Sequence, residues 1–475
     1  MKSFEYNGYW WLPSDPQRSI AGNLKFDPVN GGSLDLLGSF KDIPDLNKVL
    51  EPNIILGFAN GKKITLYQCY EKNSNMSMLA GGPVVLTTSF WANAIFVGHH
   101  FDKPEDIVFK SLSIHYSHLQ EWVQITGFKF ALHADKDNHL NQYDVSYRFP
   151  DKIEISVGNT KISFDYNFHD GGDKLKEFNL EQTIFLKIEP PASLHFDNYL
   201  RDIFYHLQNF LSLGVGRAVY PLIIKGKNEN CKIQLEKEKV IYNDIEVFYQ
   251  VNDFPPTFKK LHPFDMAFYF GDIKENFGRY LDNWFQKSAI LQPVYDLYFA
   301  ILYSSKMYLQ HKFLSLTQAL ETYHRRIHGG EYVSNKDYGA LYEALINAIP
   351  SGLDPDFKTS LKMRLKYHNE FSLRRRLREI LIKCDEVTAP LVPNKESFIE
   401  DVVNTRNFLT HYDKSLEGKE KNSQELYDMT EKISLILEVC LFEEMGMTQE
   451  LINKVVSRNR RYQHLVGKTA QKEKS

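Results

Sequence analysis

The chain has 475 residues, too many for one ordinary hydrophobic core, so two or three domains are expected. Hydrophobic residues make up 43% and charged residues 25%, which fits a soluble globular protein, and the 14% of aromatics predicts well-filled cores. A net charge of -3 excludes a uniformly basic nucleic-acid coat protein but leaves room for local basic patches.

Cys69, Cys231, Cys384 and Cys440 lie far apart with no CxxC pair, a pattern that fits neither a zinc site nor a disulfide scaffold. Reduced thiols in a cytosol are the simple reading. The opening MKSFEYNGYWW has no apolar run with a cleavage site, and no apolar stretch approaches membrane-spanning length. A cytoplasmic location without membrane contact is expected.

In chain order, Ile64 to Tyr70 alternates with the period of a half-buried strand. Ile95 to Val97, Leu112 to Tyr116, Phe128 to His133, Ile153 to Val157 and Ile162 to Tyr166 read as further short strands. Turn formers punctuate them at Asn60-Gly61, Gly81-Gly82-Pro83, Asp135 to Asn138 and Gly171-Gly172. Such spacing predicts antiparallel sheets in a sandwich or barrel, with Trp10, Trp11, Trp91 and Trp122 anchoring the core. One helix interrupts, over Phe196 to Leu213, before more strand-like sequence at Tyr220 to Ile224, Lys232 to Leu235 and Glu246 to Val251.

From Leu291 onward the chain reads as helical. A long segment through Phe313, Leu316, Leu320 and Tyr323 stops at Gly329-Gly330, and shorter helices are expected near 337–349, 355–371 and 373–385. Another runs from Lys395 to His411, with Phe398, Ile399, Val402, Val403 and Phe408 on or beside its apolar stripe. A polar loop, Asp413 to Ser423, precedes helices at 424–445 and 448–463. The expected organisation is α+β and multidomain: a β-rich, sandwich-like domain over 1–280, an all-α bundle over 291–463, and a disordered basic tail over 464–475.

The candidate chemistry lies in Arg406-Asn407-Phe408-Leu409-Thr410-His411. A guanidinium can hold a phosphate through paired hydrogen bonds, and an imidazole can move protons near neutral pH. The pattern is cheap, however, once four to six intervening residues are allowed: Arg201 to His206 (RDIFYH) matches with four between, and Arg458 to His464 (RNRRYQH) with five. RDIFYH lacks the Asn and sits on the interrupting helix, where a surface Arg and a partly buried His are expected. RNRRYQH stands among like charges beside the tail, a poor place to fix a catalytic His. RNFLTH ends an amphipathic helix, with Asn407 and His411 four apart on one face and His411 near the helix C-terminus.

An RNxxxH segment on a late helix of an α-bundle resembles the catalytic motif of HEPN-domain ribonucleases, and FLSLTQALETYHRR (Phe313 to Arg326) is similar to their opening helix. GYWWLP (Gly8 to Pro13) with AGNL (Ala21 to Leu24) resembles the first domain of ApeA-type anti-phage proteins. The resemblance implies a cytoplasmic, metal-independent endoribonuclease, without a cofactor, that acts in abortive-infection defence as a homodimer or higher homo-oligomer. RNA, with tRNA as one target by analogy, would be the substrate, and an unidentified phage-derived trigger would activate it. His411 would transfer protons, Arg406 would bind the phosphate and Asn407 would orient the groups. Glu321, His324 and Arg325 are second-tier candidates; an exposed helix face with paired charges explains them equally well.

The cluster Lys362, Arg364, Lys366, Arg374, Arg375, Arg376 and Arg378 is a candidate RNA-binding surface, against the plain reading of a solvated helix face. His99-His100 and His115/His118 have spacings a metal could use but lack an acidic or Cys partner, so no metal is expected. Two other functional classes remain open: a non-catalytic HEPN-like protein that binds RNA or a phage component, and a carbohydrate-binding β domain joined to a helical oligomerisation domain.

Overall fold

The structure is a computed structural model that describes residues 1–42, 48–78, 84–173, 175–236, 239–304, 306–412 and 421–474. The Gly81-Gly82-Pro83 turn and residues 413–420 of the expected polar loop lie outside the described residues. Two compact units emerge, Met1–Asp282 and Asn283–Ser475.

The first unit is built on one 12-stranded antiparallel sheet. Strands β1 (Phe4–Leu12), β2 (Asp15–Asp27), β3 (Gly31–Leu36), β4 (Ile54–Ala59), β5 (Lys62–Met78) and β6 (Val84–Val97) run in the order β6-β3-β2-β1-β4-β5. A further β5–β6 pairing closes these six into a barrel. Of the two expected arrangements, sandwich or barrel, these six strands therefore form a closed barrel, and it carries a side sheet. The cause is the length of β6: Thr88 to Ala92 pair with β3, leaving Ala94 to Val97 for another strand. That strand begins an extension formed by β7 (Ser111–Tyr116), β8 (Ile153–Val157), β9 (Thr160–Gly171), β10 (Asn179–Glu189), β11 (Pro221–Lys227) and β12 (Ile245–Tyr249). Asn60-Gly61, both with positive φ, make the tight β4–β5 turn that an Asn-Gly pair favours.

Period-2 alternation also separates the tryptophans. Trp10 and Trp122 are fully buried, whereas Trp11 and Trp91 are half-buried and do not anchor the core. Trp10 lies so close over Gly57 that a Cβ there would stand 2.2 Å from its ring. Trp122 packs among Phe210, Phe268, Phe270 and Phe277 and donates its indole N–H to the Phe268 carbonyl at 3.0 Å. The hairpin Phe128–Ala134 and Leu140–Tyr147 stands as a separate two-stranded sheet.

Helix α1 (Phe277–Tyr303) leads into the second unit. There follow α2 (Leu309–His328), α3 (Asn335–Asn347), α4 (Pro355–Lys366), α5 (Leu373–Lys383), α6 (Lys395–His411), α7 (Ser423–Glu444), α8 (Gln449–Arg458) and α9 (Arg460–Lys474). In α2 the buried residues Phe313, Leu316, Leu320 and Tyr323 recur at helical spacing. Helix α7 is buried without interruption from Ile433 to Phe442, which sets that stretch inside the bundle. Its buried Glu438 accepts from Tyr298 Oη at 2.9 Å, Ser434 Oγ at 3.0 Å and Arg461 Nη1 at 2.7 Å.

The expected disordered tail from residue 464 is instead helical to Lys474. Tyr462, Leu465 and Thr469 supply a buried stripe at helical spacing, and Tyr462 Oη donates to the Val387 carbonyl at 3.0 Å. A high Lys content on the other positions hid this stripe in the sequence. Among the described residues no helix is long and apolar enough to cross a membrane.

Candidate functional site

Helix α6 begins at Asn394, whose side chain caps the Ser397 N–H at 3.0 Å, and buries Ile399, Val402 and Thr405. Tyr412, in the left-handed region with φ 48, ends it immediately after His411. Phe398, Val403 and Phe408 are half-buried at the edges of the stripe. The candidate residues therefore occupy the last two turns, where the helix leaves the core.

Arg406 and His411 are five residues apart, so they point roughly 140° apart around the helix. Arg406 faces α2. Its Nη1 donates to Asn407 Oδ1 at 3.0 Å, and its Nη2 lies 3.9 Å from Glu321 Oε2, an ion pair too long for a hydrogen bond. A groove of about 540 Å³ opens here, lined among others by Thr317, Glu321, Arg325, Arg326, Arg406 and Thr410. Three guanidiniums and three threonine hydroxyls around one carboxylate suit an anion better than an apolar ligand. Sequence reasoning missed Arg326 and Thr410. Arg326 could have been found from its place beside Arg325, whereas Thr410 lines the groove only because it follows Arg406 by one helical turn.

His411 is exposed, shares a face with Asn407, and makes no side-chain hydrogen bond, ion pair or ring contact among the described residues. It does not line the Arg406 groove. One copy of this chain thus presents the guanidinium and the imidazole in different directions.

Of the second-tier residues, the structure brings Glu321 and Arg325 to the groove but not His324. Glu321 also accepts from Arg325 Nη2 at 3.3 Å, and Arg325 Nη1 reaches Glu370 at 2.7 Å. His324 is buried against α5. Arg376 Nη1 lies 3.1 Å from its Nδ1, and Glu379 Oε2 lies 2.8 Å from its Nε2. Arginine can only donate, so Nδ1 accepts and the proton sits on Nε2, donated to Glu379. Burial, opposed by Glu379 and reinforced by Arg376, lowers the His324 pKa and keeps the ring neutral. His324 is a structural clamp.

The expected RNA-binding cluster divides between two helices. Arg376, on α5, is 1% exposed and cannot meet RNA. It donates from Nε to the Phe371 carbonyl at 3.0 Å and from Nη1 to the Gly329 carbonyl at 2.6 Å. The reason is periodicity: Leu373, Arg376, Leu377, Ile380 and Leu381 form one inward stripe. Arg375 pairs with Glu379 at 3.1 Å and stacks on Phe371, and Arg378 makes a two-bond pair with Glu396 at 2.7 and 2.6 Å. Arg374 is half-buried. Lys362, Arg364 and Lys366 lie on α4 and make no ion pair among the described residues.

Neither of the other Arg–His pairs lines this groove. Arg201 is exposed and bound to Asp202 at 2.7 Å, and His206 is half-buried, its pKa lowered by that burial. His464 is exposed on α9. His100 and His115 are tied to the backbone carbonyls of Gly57 and Ile184 at 2.8 and 2.7 Å. Among the described residues no group of three or more His, Cys, Asp or Glu side chains is placed to hold a metal ion.

Comparison with known families agrees with this two-part architecture. The ApeA N-terminal domain 1 family model matches residues 5–284, and the Apea-like HEPN model matches residues 314–451. The first alone covers more than half of the chain, so the protein belongs to the ApeA-type HEPN proteins. That membership makes it an anti-phage HEPN effector, and HEPN domains are typically ribonucleases. No curated protein and no solved structure matches the chain.

Proposed function

We propose that this chain is a metal-independent endoribonuclease whose site comprises Arg406, Asn407 and His411 and which acts as a homodimer in abortive anti-phage defence. The observation that carries the reading is the placement of Arg406 in a groove rich in guanidiniums, with Asn407 and His411 on the adjoining open face of the same helix end. A phosphate entering the groove replaces the long contact to Glu321 with charge-assisted hydrogen bonds to Arg406.

His411 assists removal of the ribose 2′-hydroxyl proton as that oxygen attacks the adjacent phosphorus. The bond from phosphorus to the 5′-oxygen breaks, the leaving oxygen gains a proton, and a 2′,3′-cyclic phosphate remains. Arg406 offsets charge building on the phosphate oxygens. Asn407 accepts from Arg406 and keeps its amide N–H groups to orient the substrate or a partner helix. Because Arg406 and His411 diverge on one helix, a second copy facing the first supplies the complementary group. DNA lacks the 2′-hydroxyl and is not cut. Transfer RNA is the proposed target and a phage-derived component the trigger, with the β-rich unit as its sensor.

The test compares wild type with His411→Ala during phage challenge, reading cellular RNA ends by sequencing. Cyclic-phosphate ends in wild type but not in the variant are expected, with EDTA without effect; ends that persist in the variant remove His411 from the mechanism. The competing reading, RNA binding without cleavage, draws on the lack of an orienting partner for His411 among the described residues. It prevails if no new ends appear in wild type under infection.

A further inference from the structure

Between α2 and α5 the chain makes an excursion from Glu331 to Glu370 that carries α3 and α4. Its base is stapled: Tyr332 N donates to the Asn369 carbonyl at 2.9 Å, and Phe371 N to the Gly330 carbonyl at 3.0 Å. The Asn369 amide also brackets the Val333 backbone, at 3.0 Å from N and 2.9 Å from O. Above that base, neither α3 nor α4 buries a single residue. They hold each other through contacts such as the Tyr338 hydroxyl to the Leu365 carbonyl. A helical pair with no core of its own contributes little to the bundle's stability, which calls for another reason for its presence.

Its charges are distributed unevenly. The anions near the helix starts have local roles: Asp337 pairs with Ser334 at the start of α3, Asp354 caps α4, and Asp356 stands in the first turn of α4. From Phe357 to His368 there is no anion, but Lys358, Lys362, Arg364 and Lys366 fall there. None of the four makes an ion pair among the described residues. Arg364 and Lys366 complement the C-terminal end of the helix dipole, but Lys358 and Lys362 lie too early for that. The three lysines recur every fourth residue, which sets their Cα atoms roughly 6 Å apart along one side of α4. Aromatic rings flank the row at both ends: Phe357 is 56% exposed and Tyr367 57%, with Lys366 Nζ 5.8 Å from the Tyr367 ring.

We propose that this arm is an RNA-binding element separate from the Arg406 groove, in which Lys358, Lys362 and Lys366 hold successive backbone phosphates and Phe357 and Tyr367 stack on unpaired bases. Cations alone would serve any anionic surface. Rings at both ends of the row favour a single-stranded or looped RNA, whose bases are free to stack. The element thereby selects RNA long enough to span arm and groove, and short oligoribonucleotides do not engage it. The inference rests on the reading of this unit as one that acts on RNA.

The experiment uses the full chain carrying H411A, so that RNA survives, and a fluorescein-labelled single-stranded RNA of roughly 16 nucleotides. Anisotropy titrations over a series of salt concentrations compare H411A with H411A/K358A/K362A/K366A. The lysine variant is expected to bind at least tenfold more weakly and to lose about 2 units of the slope of log affinity against log salt. Substituting Arg for all three lysines restores both, because the phosphate contacts return. Unchanged affinity and slope overturn the proposal, as does loss of binding only to phosphatidylserine vesicles tested in parallel. Absence of RNA binding by the H411A parent also overturns it. None of these outcomes decides the nuclease reading, which stands or falls on cleavage by the chain with His411 intact.

Discussion

Helices α4 and α5 read alike in the sequence, each a short segment dense in Lys and Arg, yet the fold treats them in opposite ways. On α5, Arg376 is buried, Arg375 stacks and pairs, and Arg378 is held by Glu396. On α4, no cation finds an anion among the described residues. A run of positive charge is therefore only an inventory, and packing decides which charges remain available. Leu373, Leu377, Ile380 and Leu381 draw α5 into the bundle and take its arginines with them. No such stripe is buried on α4.

The largest expected effect sharpens this contrast. Arg376→Met removes the donors that satisfy His324 Nδ1 and the carbonyls of Gly329 and Phe371. Leaving buried acceptors unpaired is expected to cost about 3 kcal/mol in urea unfolding. A cost near zero would break the comparison, since Arg376 would then be no more structural than an α4 lysine. Next comes Lys362→Ala, for which a stability change below about 0.5 kcal/mol is expected in the same assay. A larger loss would mean that α4 has a packing role.

A smaller effect is expected at Arg378→Ala. It releases an exposed Glu396 and should leave RNA affinity close to wild type in anisotropy titrations, unlike the α4 lysines. A fall in affinity equal to that of an α4 substitution would make the two helices equivalent after all.

The smallest effect concerns pH. Burial lowers the pKa of His324 in the fold, so the unfolded chain takes up a proton there that the folded chain refuses. Its contribution is therefore complete above the unfolded pKa and declines as pH falls from about 6.5 toward the folded value. Thermal melts of wild type and His324→Asn from about pH 7 to about pH 5 should converge as pH falls. Parallel curves would show that the ring is not held neutral.

Much of the architecture was legible because hydrophobic periodicity is local. Lys395 to His411 is a helix over that very span, and Ile153 to Val157 is a strand. The choice between sandwich and barrel was not legible, because closure depends on β6 sharing its two edges among β3, β5 and β12, a pairing over long sequence distances. The continuation of the last expected helix beyond residue 463 was missed because its buried residues, Leu465 and Thr469, are sparse among lysines. At the candidate site, Arg406 and Glu321 could be named in advance, whereas the absence of His411 from their groove could not.

By itself, then, the sequence determined the two-part order, the helix that carries Arg406, Asn407 and His411, and turns such as Asn60-Gly61. These follow from propensity and spacing, which act over a few residues. Tertiary structure alone decided which cations are spent within the fold and which face solvent, and which way each half of the Arg–His pair points. Those outcomes depend on groups brought together from distant segments, such as Arg376 against His324 and Arg406 beside Glu321. Burial then turns a charge on one helix into a structural clamp and leaves its neighbour's charges open to a ligand.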